Sequence, residues 1–448
     1  MAEKIRCAAD SGGNYRGGSC PPGILRIEVD LAHCDALSWL EAQNAQAKTY
    51  WEDRERQFEA AGIGEEDVVE GGHFPSYESL FRRLHVTLSG SGARVRYYGG
   101  IRFSDRGARD SCWQSFGSFR FVLPRFELFN YQGKSALACN LLNRRDGRDP
   151  VGEILSALDT VVFPGETREG EIPLLMSRTD SPDKNGWQRG IRSATRLFDR
   201  GSLQKIVLAR KSLFEFKDDL NPTALLRRLK STLPECFHFC NIPKKGVAFI
   251  GASPERLYLR RGRSIHTEAI AGTRPRGESA EADENLSRDL LHNDKDLREH
   301  RIVVEGIREG LAPVCESLST DDQITVLKLT QCQHLLTAFE GTLRDGILDQ
   351  DLLSRLHPTS AVGGCPSSAA LEEIGRIEPF DRGWYTGPIG WVSEDVVEFA
   401  VAIRCGLVEG TRLSLFSGAG IVRGSTAEGE WNEIENKIGD FVRALPRS

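Results

Sequence analysis

Short runs of branched and aromatic residues, broken by polar stretches, run through the first half of the chain. On that pattern Leu25–Val29, Val95–Tyr98, Phe119–Leu123 and Ala136–Leu142 read as strands, with Asn130–Gly133 as a turn. Ala36–Ala61 is rich in helix formers and predicts a helix ending near Gly62 that carries Tyr50, Trp51 and Arg54. Asp180–Asn185 is polar and holds Pro182, which predicts a connector before a helix over Trp187–Arg200. From Lys205 the texture changes. Lys205–Arg210 is an apolar run between two cations and reads as a buried strand, and Gly246–Ile250 as another. Leu297, Val304, Ile307 and Leu311 form an apolar stripe at helical spacing over Lys295–Leu311, as do Trp431, Ile434, Ile438, Phe441 and Leu445 over Ala427–Leu445. Strands and helices mix without regular βαβ alternation and without an internal repeat, which favours an α+β fold over a doubly wound sheet.

Composition narrows the class. The chain has 448 residues, 40% hydrophobic and 27% charged, which suits a globular protein with a large core. A net charge of −6 gives no support to nucleic acid or an anionic membrane as the main partner, so a basic site for an acidic ligand must be local. The residues from Met1 to Gly23 are polar, Gly-rich and interrupted by Pro21 and Pro22; they read as a mobile tail with no signal-peptide character. No apolar run reaches membrane-spanning length. The 11 cysteines are scattered, with no CxxC pair, so Cys332 and the others are expected to be small buried hydrophobes in a reducing compartment, the cytoplasm.

Five segments could carry chemistry, and each also has an ordinary structural explanation. Lys205 is either a strand-entry cation or an amine positioned as a general base. Gly251–Leu257 follows a strand and bends at Pro254, so Glu255 either pairs with Arg256 or stands exposed as a proton donor. In Thr267–Arg274 a strand runs into Gly272 with Thr273 beside it, where backbone can approach a ligand closely. Glu299, near the start of its helix, is a dipole partner or a metal ligand. Glu430, Glu433 and Lys437 share one face of the last helix, a salt-bridged surface unless the small-residue segment Gly418-Ala419-Gly420 before it offers backbone N–H groups to an anion. His334, Trp384–Pro388 with Tyr385, and Arg404, which interrupts the strand Phe399–Ile403 and calls for an anionic partner, complete the set.

In order along the chain, KIVLAR, GASPERL, EAIAGTRPRG, KDLREH, QHLLTAFEG, LHPTSAVGG, FDRGWYTGPIGW, AIRCG and GAGIVRGSTAEGEWNEIENK together resemble the chorismate-binding enzyme family, from about Lys205 to Leu445. The earlier residues match only through general layout. The resemblance implies a layered α/β/β/α fold with mainly antiparallel sheets. Residues 1–23 would be a tail, 24–190 a portion contributing strands and helices to the same fold, and 191–448 the catalytic portion. It implies Mg2+, with Glu299 and Glu433 as ligands and Glu430 close by through water. Lys437, Arg404 and the backbone of Gly418, Ala419 and Gly420 would hold the carboxylates of chorismate, while Thr273, His334 and Tyr385 line its pocket. Lys205 matches the general base and Glu255 the general acid.

Two positions choose among family members. Anthranilate synthase-like members usually carry glutamine at Lys205, and aminodeoxychorismate synthase-like members carry lysine at Ala271. Lys205 with Ala271 therefore implies water as the nucleophile and no obligatory glutamine amidotransferase partner. Thr49–Arg54 and the overall length look more like quinone-pathway isochorismate synthases than like salicylate synthases, which go on to eliminate pyruvate. A non-catalytic chorismate-binding protein is the reading from another class. Ser360 departs from the proline common after His-Pro-Thr and is expected to alter the pocket wall. A monomer or weak homodimer is expected.

Overall fold

A computed structural model describes Glu3 and residues 24–73, 76–91, 94–105, 109–142, 150–164 and 170–445. The expected tail, apart from Glu3, lies outside the described residues. Two antiparallel sheets carry the fold. Among the described residues the first has twelve strands, running from Ile24–Leu31 at one edge through Lys134–Leu142, Phe126–Tyr131, Phe58–Ile63, Lys48–Glu52, Phe237–Lys244, Val247–Ser253, Cys405–Glu409 and Arg412–Val422 to Lys205–Phe216. The second, again among the described residues, has ten and is centred on Cys332–Leu343, Ser264–Pro275, Arg256–Arg261, Val396–Val401, Pro388–Val392 and Tyr97–Ile101.

Strands from the first part of the chain pair with strands from the last. Lys48–Glu52 pairs with Phe237–Lys244, and Tyr97–Ile101 with Pro388–Val392. The inner faces of the two sheets share an aromatic core: Phe58 meets Trp391 at 5.6 Å between ring centroids, and Phe249 meets Trp384 at 6.1 Å. Helices pack outside. The helix Asp294–Leu311 lies against Ser264–Pro275, and Ala427–Val442 lies against Arg412–Val422. Among the described residues no helix is long and apolar enough to cross a membrane, and the described cysteines are all free.

Several expectations need correction. The predicted helix Ala36–Ala61 is a helix only over Ala36–Ala42; Lys48–Glu52 and Phe58–Ile63 are strands. Tyr50, Trp51, Ala60 and Ala61 are buried in the middle of the first sheet, so cross-strand packing overrides the helix propensity of the alanines and glutamates. The connector shrinks to Pro182 and Asp183, because Leu175–Ser181 is a strand and Asp183 caps a helix starting at Lys184. In the Glu299 helix the buried face is Asp296, His300, Val303, Ile307 and Leu311, rotated by about one residue from the predicted stripe. The last helix ends at Val442, three residues early. Arg404 does not interrupt a strand. Val396–Val401 ends before it, and Arg404 sits in the corner where the chain leaves one sheet for the other, with φ 49.

Candidate active site

The chain changes sheet twice in one place. Val247–Ser253 of the first sheet passes through Pro254 and Glu255 into Arg256–Arg261 of the second, and Val396–Val401 of the second returns through Arg404 to Cys405–Glu409 of the first. The two crossings are stitched together: the Ser253 hydroxyl donates to Val401 O at 2.6 Å, Val401 N–H to Glu255 O at 3.0 Å and Ala252 N–H to Arg404 O at 3.1 Å. A cleft open to solvent lies at this seam, with about 820 Å³ of empty space when its open mouth is counted. Two non-glycine residues on its wall, Thr386 (φ 63) and Arg404, hold left-handed backbone, a strain of about 1–3 kcal/mol each that neighbouring hydrogen bonds such as Thr386 N–H to Ala402 O must offset.

Lys205 begins the longest strand of the first sheet and is fully buried. Its Nζ is 3.0 Å from Glu299 Oε1, yet poorly aligned, so among the described residues the ammonium has no hydrogen bond of good geometry. The strand is anchored from behind by Arg382, which donates to Val207 O at 2.8 Å and to Val362 O at 2.9 Å and pairs with Glu378. Gly420 lies between the two charges, and a methyl group there would overlap Glu299 Oε1 and press on Lys205. Glu255 is 5% exposed. Burial, reinforced by the nearby Glu268 charge and opposed by Lys205 and Lys437, pushes its carboxyl up to about 8. It is therefore a protonated acid near neutrality.

Also lining the cleft, Thr273 and His334 are register partners across two strands, with Gly272 (φ 73) as the bulged residue between them. His334 Nδ1 lies 3.1 Å from Gly272 O, which can only accept, so Nδ1 carries the hydrogen; it also lies 3.1 Å from Thr273 Oγ1. Its Nε2 is 3.2 Å from Cys332 Sγ. Cys332 is buried as expected but is not an inert hydrophobe: burial raises its thiol, and His334 and Arg404 outweigh that and bring it down to about 6. Tyr385 stacks on Phe416 at 5.4 Å, and burial pushes its phenol up. Lys437 donates to Gly418 O at 3.0 Å and to Glu433 at 2.7 Å.

The three glutamates each face a lysine. Glu299 faces Lys205, Glu433 faces Lys437, and Glu430 takes a 2.7 Å bond from Lys295. Burial and the Glu433 charge raise Glu430, whereas for Glu433 burial is opposed by Lys437, Lys295 and Lys205, which together hold it below its usual range. Among the described residues no three acidic, His or Cys side chains form a ready-made metal cage. Glu430 Oε2, however, is buried without a hydrogen-bond partner among the described residues. Glu299 and Glu433 both line the cleft, and such a pair of carboxylates fits magnesium, which usually takes one or two protein carboxylates and completes its shell with water and substrate oxygens.

A sequence description of the chorismate binding enzyme family matches residues 18–446. The chain belongs to the chorismate binding enzyme family. Over 94% of this chain and 81% of the relative, it is 34% identical to isochorismate synthase 2, chloroplastic, of Arabidopsis thaliana. It is 33% identical to isochorismate synthase MenF of Escherichia coli, over 93% of this chain and 92% of the relative. Its structure is similar to that of the menaquinone-specific isochorismate synthase MenF from Escherichia coli, with TM-score 0.85, 29% identity and full coverage of both chains. Anthranilate synthase component I from Streptococcus pneumoniae shares the fold, with TM-score 0.69, 20% identity and coverage of 95% of this chain and 93% of that one.

Within this family member, Lys205, Glu255, Glu299, Glu433 and Lys437 line the same cleft together with Thr273, His334, Tyr385, Arg404, Gly418 and Gly420. Two expected residues do not. Ala419 is fully buried on the other face of its strand, as alternation requires, and Glu430 lies behind the wall against Lys295. Ser360 turns its hydroxyl to Ile302 O at 3.2 Å, tying its loop to the Glu299 helix, and Ala361 and Val362 form the wall instead. Asp296 is a wall residue that the sequence reading passed over. It is held by Arg274 at 2.7 Å, and its spacing of three from Glu299 on a helix was the available signal.

Proposed function

We propose that the protein converts chorismate to isochorismate with Mg2+. The observation that carries this reading is a buried lysine and a buried, protonated carboxylic acid, Lys205 and Glu255, on the walls of one cleft that also gathers Arg404, Lys437 and the glutamates. Relatives covering most of the chain are isochorismate synthases, which supports it.

The cationic side chains suit a dianionic substrate. Arg404 and Lys437 bind its carboxylates, Arg404 with a planar fork that matches them. His334, Thr273 and Tyr385 orient the ring. Lys205, in its neutral amine form, removes a proton from water as the water oxygen bonds to C2; both conjugated ring double bonds shift by one position, the C4–O bond breaks, and Glu255 gives its proton to the departing hydroxyl, which leaves as water. One proton is taken and one returned, so the reaction is balanced without a further reactant. Glu299 and Glu433, with Glu430 close by, would hold magnesium, which when bound would supply positive charge for the substrate's ring carboxylate. Ala271 puts no amine at the cleft wall, in keeping with water as nucleophile and with a protein that works without an amidotransferase.

We read the product as feeding menaquinone formation in the cytoplasm, because the solved Escherichia coli relative is described as menaquinone-specific. The deciding experiment is incubation with chorismate and magnesium followed by chromatographic identification of the product. Isochorismate supports the proposal, salicylate with pyruvate replaces it with the longer reaction, and binding without consumption replaces it with a non-catalytic binder.

The acid assignment predicts a pH limb. A carboxyl with its pKa near 8 is a donor below that pH and loses the proton above it, so kcat is expected to fall as pH rises through about 8. A pH–rate profile with its only carboxylate limb near the ordinary value of about 4.3 would remove Glu255 from that role.

A further inference from the structure

Glu255 sits in a chain crossing whose two neighbours are gripped from behind by one ion pair. Arg54 NH1 donates to Pro254 O at 2.7 Å, on the residue before Glu255. Glu268 Oε1 accepts from Arg256 N–H at 2.9 Å, on the residue after it. The two grips are joined, because Arg54 holds both oxygens of Glu268, at 2.7 Å and 2.9 Å. We propose that the Arg54–Glu268 pair is a positioning clamp that fixes Glu255 for proton donation, so that a residue of the early strand hairpin works for the proton-donating wall of the cleft.

Resting on the reading of Glu255 as the acid, the clamp explains three features. The first is where Arg54 comes from. It lies in the turn between Lys48–Glu52 and Phe58–Ile63, and that turn is itself fixed by Asp53, whose carboxylate accepts from Gln57 N–H at 2.8 Å and Phe58 N–H at 3.0 Å. The second is cation stacking. Arg54 and Arg256 both stand over the Phe237 ring, at 5.6 Å and 5.0 Å, so the guanidinium of the clamp has little freedom to swing away. The third is charge. Glu255 is faced by Glu268 from the strand Ser264–Pro275, by Lys205 from its own strand and by Lys437 from the last helix. Burial does most to hold its proton on, both lysines pull it off, and Glu268 is the nearby carboxylate that adds to burial against them. Glu268 is thus placed to hold the acid in position and to keep it protonated.

The test uses the full chain with chorismate and magnesium and the variants Glu268→Gln, Arg54→Lys and Arg54→Ala. Each is read for kcat, KM, the pH profile of kcat and the thermal midpoint. The amide introduced by Glu268→Gln can still accept from Arg256 N–H but carries no charge. The basic pH limb of that variant is therefore expected to move to lower pH, with kcat at pH 8 about ten- to a hundredfold down and KM within about threefold. Arg54→Ala is expected to lose kcat to a similar degree, and Arg54→Lys, which keeps the charge but not the two-sided grip, to recover part of it. Variants that lower only the thermal midpoint, with kcat and the pH limb unchanged, would show a merely structural pair and overturn the clamp. Glu255→Gln separates the two levels. If it turns over freely the acid reading itself fails, whereas an inactive Glu255→Gln beside unchanged Glu268→Gln and Arg54→Ala defeats the clamp alone.

Discussion

Replacing Lys205 by alanine is expected to lower chorismate turnover by about 10²–10⁴-fold, the usual contribution of a general base, while chorismate still binds. The side chain is fully buried on the cleft wall, its ammonium makes no well-formed hydrogen bond to the described residues, and its strand is pinned by Arg382 through Val207 O. A side chain so placed is poor material for stability, since a buried cation without good hydrogen bonds costs free energy. The variant should therefore fold, and its binding isotherm for chorismate should remain measurable by calorimetry because the cations proposed to meet the carboxylates, Arg404 and Lys437, remain on the cleft wall. Removing Lys205 also takes the cation from Glu299, so the comparison is made at saturating magnesium. Small primary amines that fit the vacated space are expected to restore part of the rate. Turnover close to wild type in the purified variant would end the assignment of Lys205 as the base.

The second large effect is on the metal. Glu433→Ala removes one of the carboxylates and is expected to raise the magnesium concentration for half-maximal rate by at least about 10–100-fold, the range seen even for groups one step removed from a metal. Lys437 loses its 2.7 Å partner in the same variant but keeps Gly418 O, so substrate binding is expected to change less than magnesium dependence. Glu428→Ala, an exposed residue in the first turn of the same helix, is the control and should leave the magnesium titration where it was. An unchanged titration for Glu433→Ala would contradict the ligand role.

Most of the cleft was legible in the sequence because its groups sit in compact segments whose order along the chain is itself information. Lys205, Glu255, Glu299 and Glu433 stand at strand starts, bends and helix faces that local pattern can place. The groups that escaped are those whose function depends on a distant partner. The helix formers around Arg54 predict a helix there, because the strand that pairs with its hairpin lies in another region of the chain. Glu268 looked like an ordinary strand residue, since nothing local shows that its oxygens reach Arg54 and Arg256 N–H. Ala419 is the middle member of a run of small residues, and strand alternation sends its side chain into the core, which leaves only its backbone for the expected anion contact. Periodicity likewise found the Glu299 helix but not its rotation, because Asp296 and His300 occupy buried positions that an apolar stripe does not mark.

The pairing of early strands with late ones also sets a timetable for synthesis. Thr49 waits for Asn241, and Gly99 waits for Gly390, about 290 residues downstream. At about 5–20 residues per second on the ribosome, the second wait is on the order of fifteen seconds to a minute. Throughout it the nascent chain carries hydrophobic strands whose neighbours do not yet exist, and neither sheet can close until the segment that brings Trp384, Tyr385 and Arg404 has emerged. The seam that forms the cleft is therefore completed among the last parts of the molecule, and the newborn chain depends on whatever shields its open strand edges in the meantime.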